Sequence, residues 1–150
     1  MTESFKTRLM RWGFNFFPVF RRTGARFTYF SADLHEVHLK LPLNWKTKNY
    51  IGTIYGGTIF SCADRLHVVM LIKILGRGFI VWDKEATISY KKPGRSTLYA
   101  TIKLGEHEIE EIKKELTEKP SILRSYSIDF VDRENVVCAS IQKTVYIRKK

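Results

Sequence analysis

One spacing in this sequence could do chemistry: a glycine pair, Gly56-Gly57, with an acid, Asp64, seven residues further on. The pair opens an apolar segment that runs through Leu66, Val68, Val69, Met70, Leu71, Ile72, Ile74 and Leu75 to Gly76-Arg77-Gly78. Apolar residues fall nearly all round it, which predicts one long helix buried on most sides. Glycines at a helix start leave N–H groups open to a ligand carbonyl, and the helix dipole adds partial positive charge there. That is the chemistry of an oxyanion hole. A carboxylate about two turns on shares the face of Gly57. Burial would raise its pKa toward the range useful to a general base. The structural alternative is an acid paired with Arg65 or capped by a neighbour.

Other groups stand close enough in sequence to join this site. His67, three residues after Asp64, could form an Asp-His pair, either as base and orienter or as two metal ligands. A helix residue with a satisfied ring is the preferred reading. Cys62 faces elsewhere and reads as core. Asp83 adds a second carboxylate. It either approaches Asp64, so that one of the two holds a proton, or pairs with Lys84 or Lys91. Lys91, Lys92 and Arg95 form a basic turn able to meet phosphates, with a solvated turn as the plainer alternative. His35 and His38 lie three apart in a strand-like stretch and therefore on opposite faces. Neither they nor Cys62 and Cys138 match a metal spacing, so no metal and no resident cofactor is expected.

The elements that must hold these groups follow from periodicity. Residues 3–17 carry Phe5, Leu9, Trp12 and Phe16 at helical spacing, with Lys6, Arg8 and Arg11 between them and Pro18 as a stop. Packing over a sheet edge is the preferred reading of this amphipathic helix; a membrane-surface contact or a substrate mouth is the functional alternative. Strands are predicted over 26–30 and 34–41, then over 79–92 and 96–104 after the central helix. The turn Lys92-Pro93-Gly94-Arg95 predicts a hairpin between the latter two. A polar helix over 106–117 turns Ile109, Ile112 and Leu116 inward. Strand 122–131 follows, and a last strand carries Val137, Ala139, Ile141, Val145 and Ile147 on its inner face. The order indicates a single α+β domain over residues 1–150, with a mostly antiparallel, strongly curved sheet around one buried helix.

Net charge of +11 is the strongest compositional signal. It allows nucleic acid, an anionic membrane surface or a phosphate-bearing coenzyme as partner. The charge is dispersed and no nucleic-acid reader motif accompanies it, so nucleic-acid binding is not expected. Phe14 to Phe20 is apolar, but Asn15 and Pro18 interrupt it and Arg21-Arg22 follow, which is not the order of a signal peptide. Nothing approaches a membrane-spanning length. With two cysteines in apolar segments, a cytoplasmic protein with reduced thiols is the expectation.

The segment Asn49-x-x-Gly52-Thr53-x-Tyr55-Gly56-Gly57, with Asp64 beyond it, resembles the hotdog-fold acyl-CoA thioesterases of the phenylacetate and four-helix-tetramer type. It is most similar to the thioesterase-like family DUF4442. Val81-Trp82-Asp83-Lys84 and Lys91-Lys92-Pro93-Gly94 resemble that family's next strand and turn, and the likeness covers residues 34–147. The resemblance implies a hotdog fold, a long central helix wrapped by a curved antiparallel sheet, paired through edge strands into a homodimer, with a dimer of dimers left open. It also implies hydrolysis of an acyl-CoA or acyl-carrier thioester, coenzyme A being part of the substrate. Asp64 of one subunit would act as general base or nucleophile, facing Asn49 and the glycine pair of the other. The Gly57 N–H would polarise the thioester carbonyl, with Gly56 making room. Tyr55 stands where the pattern usually has histidine, and Asp83 where some of these enzymes hold the attacking water with serine or threonine. Tyr55, Gly56, Asp83, Lys91, Lys92 and Arg95 are thus the candidate substrate contacts. A hotdog protein that binds acyl-CoA or lipid without turnover is the alternative.

Overall fold

In the computed structural model, which describes residues 2–64 and 66–150, local chemistry sets each boundary. Helix α1 (Phe5–Phe16) begins at Ser4, whose hydroxyl accepts from Thr7 N while Thr7 Oγ1 accepts from Ser4 N, a reciprocal cap. Pro18 ends that helix and opens the next, α2 (Pro18–Arg22). The chain continues through β1 (Arg26–Phe30), β2 (Glu36–Leu41), α3 (Gly56–Ala63), α4 (Leu66–Leu75), β3 (Phe79–Tyr90), β4 (Leu98–Lys103), α5 (Glu106–Glu118), β5 (Ser121–Val131) and β6 (Val137–Lys149).

Among the described residues, six strands form one antiparallel sheet in the order β1-β2-β4-β5-β6-β3. Its inner face buries Leu39, Ile102, Ile128, Ile141 and Ile147 against the central helical segments, with Leu71 fully enclosed. The α+β expectation holds, and the architecture is that of a hotdog.

Two details differ from expectation. The strands flanking Lys92–Arg95 do not form a hairpin: β3 is an edge strand paired with β6, and β4 lies between β2 and β5. The proline-glycine corner is used instead to dock the connecting loop, with Gly94 O accepting from Ile54 N at 2.9 Å and Cys138 O accepting from Lys91 N and Lys92 N. The central helix is also not one piece. Asp64 has φ −59° and ψ 137°, which leaves the helical region and separates α3 from α4.

The two sheet edges are treated differently. At the β1 edge, Asn15 of α1 exchanges a pair of hydrogen bonds with the Phe27 backbone, at 2.8 and 3.0 Å, and Glu3 accepts from Phe30 N at 3.3 Å. Phe14 packs edge-on against Phe27, and Phe20 stacks on the same ring. The N-terminal helix does pack over this sheet edge, but through Met10, Phe14 and Asn15, while the apolar stripe Phe5, Leu9, Trp12 and Phe16 that announced it stays exposed. Among the described residues, no helix hydrogen-bonds to the β3 edge in this way.

Candidate functional site

The break at Asp64 builds the site. Asp64 is exposed, not buried as the all-round apolar helix pattern predicts. It lies instead at the rim of an apolar cavity of about 480 Å³. Phe14, Phe20, Phe27 and Phe30 form one wall, Leu66, Val69 and Met70 of α4 another, and Ser61 and Asp64 supply polar atoms. Arg65, the expected partner in a structural pair, lies outside the described residues. A second, more open groove shares Val19, Thr23, Ser61 and Asp64 with this cavity and extends to Arg22, Tyr55, Gly57 and Thr58. Gly57, Tyr55 and Asp64 therefore line one continuous depression in the same chain.

At the start of α3, no side chain caps the helix, and Gly56 and Gly57 occupy positions whose N–H groups precede the intrahelical ladder. The space beside the glycines is not empty, as a site for an approaching carbonyl would suggest. A Cβ on Gly56 would lie 2.5 Å from Tyr90 Oη, and one on Gly57 would lie 2.5 Å from Tyr55 Cε1. A larger residue at either position would have to displace a tyrosine ring of its own chain.

Asn49 is committed to the preceding loop. Its Oδ1 accepts from Ile51 N and Thr53 N at 3.1 and 3.0 Å, and its Nδ2 donates to Thr53 Oγ1 at 2.9 Å. This closes a turn in which Gly52 takes φ +82°, a value that favours glycine. Asn49 shapes the approach to α3 with every polar atom of its side chain in use. Lys91, Lys92 and Arg95 stand exposed, and the Gly94–Ile54 bond ties their turn to the same end of the molecule.

Asp83 does not pair with Lys84 or Lys91. Its Oδ2 accepts from Lys143 Nζ at 2.8 Å, and it lines neither the cavity nor the groove. Lys84 is instead the extra residue of a bulge in the β3–β6 pairing, which keeps Asp83 on the inner side. Lys143 is only 2% exposed and also reaches the carbonyl of Ala63 at 3.4 Å. Ala63 ends α3, where carbonyls lack intrahelical partners and a cation is favoured. Strand alternation placed Lys143 between Ile141 and Val145 on the inner face, a signal that its charge obscured.

His67 completes this buried polar island. It is 2% exposed and stacks on Tyr126, ring centroids 4.5 Å apart and planes 9° from parallel. The Tyr126 hydroxyl donates to Glu108 at 2.9 Å, and burial pushes its pKa up. Burial, then the positive charge of Lys143, pushes the His67 pKa down to about 4, with Asp83 pulling the other way. His67 is therefore neutral near pH 7 and faces the sheet, while Asp64 faces the cavity. Burial likewise pushes up the Cys62 and Cys138 thiols, and both cysteines are free. His35 and His38 take separate partners, the Leu104 carbonyl and Glu36.

Solved structures share this architecture. A Pseudomonas aeruginosa protein of unknown function, described as a probable thioesterase, is 21% identical over the whole of both chains, with a TM-score of 0.85. A Haemophilus influenzae thioesterase is 17% identical, covers 99% of this chain and 94% of its own, and has a TM-score of 0.69. The Escherichia coli PaaI protein of the phenylacetic acid degradation operon is 15% identical over 96% and 92% of the two chains, with a TM-score of 0.64. At these identities the likeness is one of fold. No curated protein matches the sequence. The model of the domain family of unknown function DUF4442 matches residues 6–147, which takes in the N-terminal helices as well as the sheet, and the chain belongs to that family.

Proposed function

We propose that the protein hydrolyses acyl thioesters, with the acyl chain in the apolar cavity and Asp64 acting at its rim. The observation that carries this reading is the position of Asp64 on a cavity of about 480 Å³, within the range of small-molecule pockets. Asp64 takes a proton from water as the water attacks the thioester carbon and the thiolate leaves; or its carboxylate attacks that carbon, the thiolate leaves, and water then cleaves the acyl-aspartyl anhydride, releasing the acid and freeing Asp64. The developing oxyanion is held by the N–H of Gly57. Tyr55 lines the groove between them, and the exposed Lys91, Lys92 and Arg95 offer charge to the phosphates of coenzyme A.

The reading calls for two copies. Seven residues of helix span about 10 Å, whereas the attacking atom and the oxyanion donor must both come within about 3 Å of one reacting carbonyl, with the base in hydrogen-bond reach of that attacking atom. Gly57 and Asp64 of one chain sit at the far limit of that reach along the helix. A homodimer that brings Gly57 of one subunit toward Asp64 of the other resolves the separation. The β3 edge and the exposed Tyr50 and Ile51 of the Asn49 loop support such pairing. Two buried free cysteines suit a cytoplasmic setting.

The committed side chain of Asn49 and the tyrosine rings over the glycine pair favour a second reading, acyl-CoA binding without turnover. One experiment separates the two. Thiol release and equilibrium binding are measured on the same panel of acyl-CoAs. Turnover supports the hydrolase; tight binding with no thiol release on any member supports the carrier.

A further inference from the structure

The N-terminal helix packs with the wrong face outward for a purely structural element. Its inner side is formed by Thr7, Met10, Phe14 and Asn15, which meet the sheet edge or the cavity. Phe5, Leu9, Trp12 and Phe16 form the opposite stripe and are 81%, 65%, 57% and 64% exposed. At 100° per residue, Lys6 and Arg8 flank that stripe on its two sides. Phe17 and Val19 extend it, and both also line the acyl cavity. Scattered exposed apolar residues are ordinary, but a continuous aromatic stripe is not.

The charge around the stripe has one sign. From Ser4 to Ala32 the chain has six basic residues, Lys6, Arg8, Arg11, Arg21, Arg22 and Arg26, and no acidic one. Of these, Arg11 pairs with Glu3 at 2.7 Å and Arg8 lies 3.6 Å from the same carboxylate, while Lys6, Arg21, Arg22 and Arg26 are exposed. No described helix is long and apolar enough to cross a membrane. Large apolar side chains bordered by a net excess of cations suit a surface that is apolar below and anionic above.

We infer that this face docks on an anionic lipid bilayer, with the Phe5–Phe16 stripe in the acyl region and the flanking Lys and Arg at the headgroups. Docking sets the cavity mouth, through Phe17 and Val19, against the membrane, so that an acyl chain passes between bilayer and cavity without crossing water. The docking itself rests on the helix and its charges alone, whereas the passage of an acyl chain rests on the thioesterase reading.

The test uses the full-length protein and co-sedimentation with vesicles of phosphatidylcholine alone or mixed with phosphatidylglycerol. The expected result is binding to the anionic vesicles, weakened by added salt. Leu9→Glu and Trp12→Glu should each weaken it about tenfold or more, while the thermal midpoint and the turnover of a soluble short-chain acyl-CoA stay unchanged. Lys6→Gln with Arg8→Gln should weaken anionic binding and leave phosphatidylcholine binding as it was. The inference is overturned if the wild type binds neither vesicle, or if Trp12→Glu binds as well as the wild type. It is equally overturned if analytical ultracentrifugation shows Trp12→Glu breaking a protein assembly while vesicles capture nothing, because the stripe then covers a second copy.

Discussion

Lys143 donates to the Asp83 carboxylate at 2.8 Å from a position 2% exposed, and the same ammonium lies 3.4 Å from the Ala63 carbonyl beside Asp64. A strand residue thus holds both the inner sheet and the end of α3, where the backbone turns to present its acid. Removing one partner of a buried ion pair leaves the charge of the other less well compensated. Lys143→Met should lower stability by about 3 kcal/mol in chemical denaturation. Lys143→Met with Asp83→Leu should recover a large part of that loss. Equal stability of the two variants would mean that the pair is not the cause.

Acid should weaken the fold through His67. The unfolded chain takes up this proton near pH 6.5, whereas the folded chain holds it off until about 4. Between those values the unfolded state binds the extra proton, so stability is full above the window and falls as pH drops through it. The loss attributable to His67 is up to about 3 kcal/mol. Glu3, whose pKa is held down chiefly by its bond to Arg11, also costs stability on acidification, at lower pH. The test is therefore a difference. His67→Phe, which keeps a ring against Tyr126, should show a shallower stability slope between pH 6.5 and 4, and parallel slopes would contradict the assignment.

The glycine pair should be coupled to its tyrosines. Gly56→Ala meets Tyr90 Oη at 2.5 Å and should cost about 0.5–1.5 kcal/mol, the cost of pushing a half-exposed ring off its rotamer. In the Tyr90→Ala background the same substitution should cost much less, a coupling that a double-mutant cycle reads directly. Gly57→Ala should behave in the same way with Tyr55→Ala. Additivity in both cycles would show that the rings give way freely.

The cavity should set acyl length. Val69 lines it from α4, so Val69→Trp should shorten the preferred chain. The kcat/KM for long acyl-CoAs should fall about tenfold or more, with short ones little changed. An unaltered preference across the acyl-CoA panel would place the chain elsewhere.

How far these features were legible depended on whether their cause was local. Period-two alternation located the inner faces of β5 and β6, and the Ile109, Ile112 and Leu116 stripe located α5, because burial writes directly into such patterns. Periodicity also found the stripe on α1 but not its direction. Phe14 and Met10 took the inner side because Asn15 satisfies the Phe27 backbone and fixes the helix orientation. The Lys92–Arg95 turn had hairpin chemistry, yet strand order is decided by the whole sheet, and β3 went to its far edge. The break at Asp64 carried no glycine or proline to announce it. Its support, Lys143, arrives from 79 residues further along the chain and depends on packing that no window of sequence contains.

The central claim is that Asp64, at the cavity rim, drives thioester hydrolysis. The most direct measurement is thiol release from the best acyl-CoA substrate by wild type and Asp64→Asn, both verified as folded and of equal assembly state. The account predicts a loss of about 10²–10⁴-fold in kcat, the range for a general base, with acyl-CoA binding retained. Turnover by Asp64→Asn at the wild-type rate would contradict it.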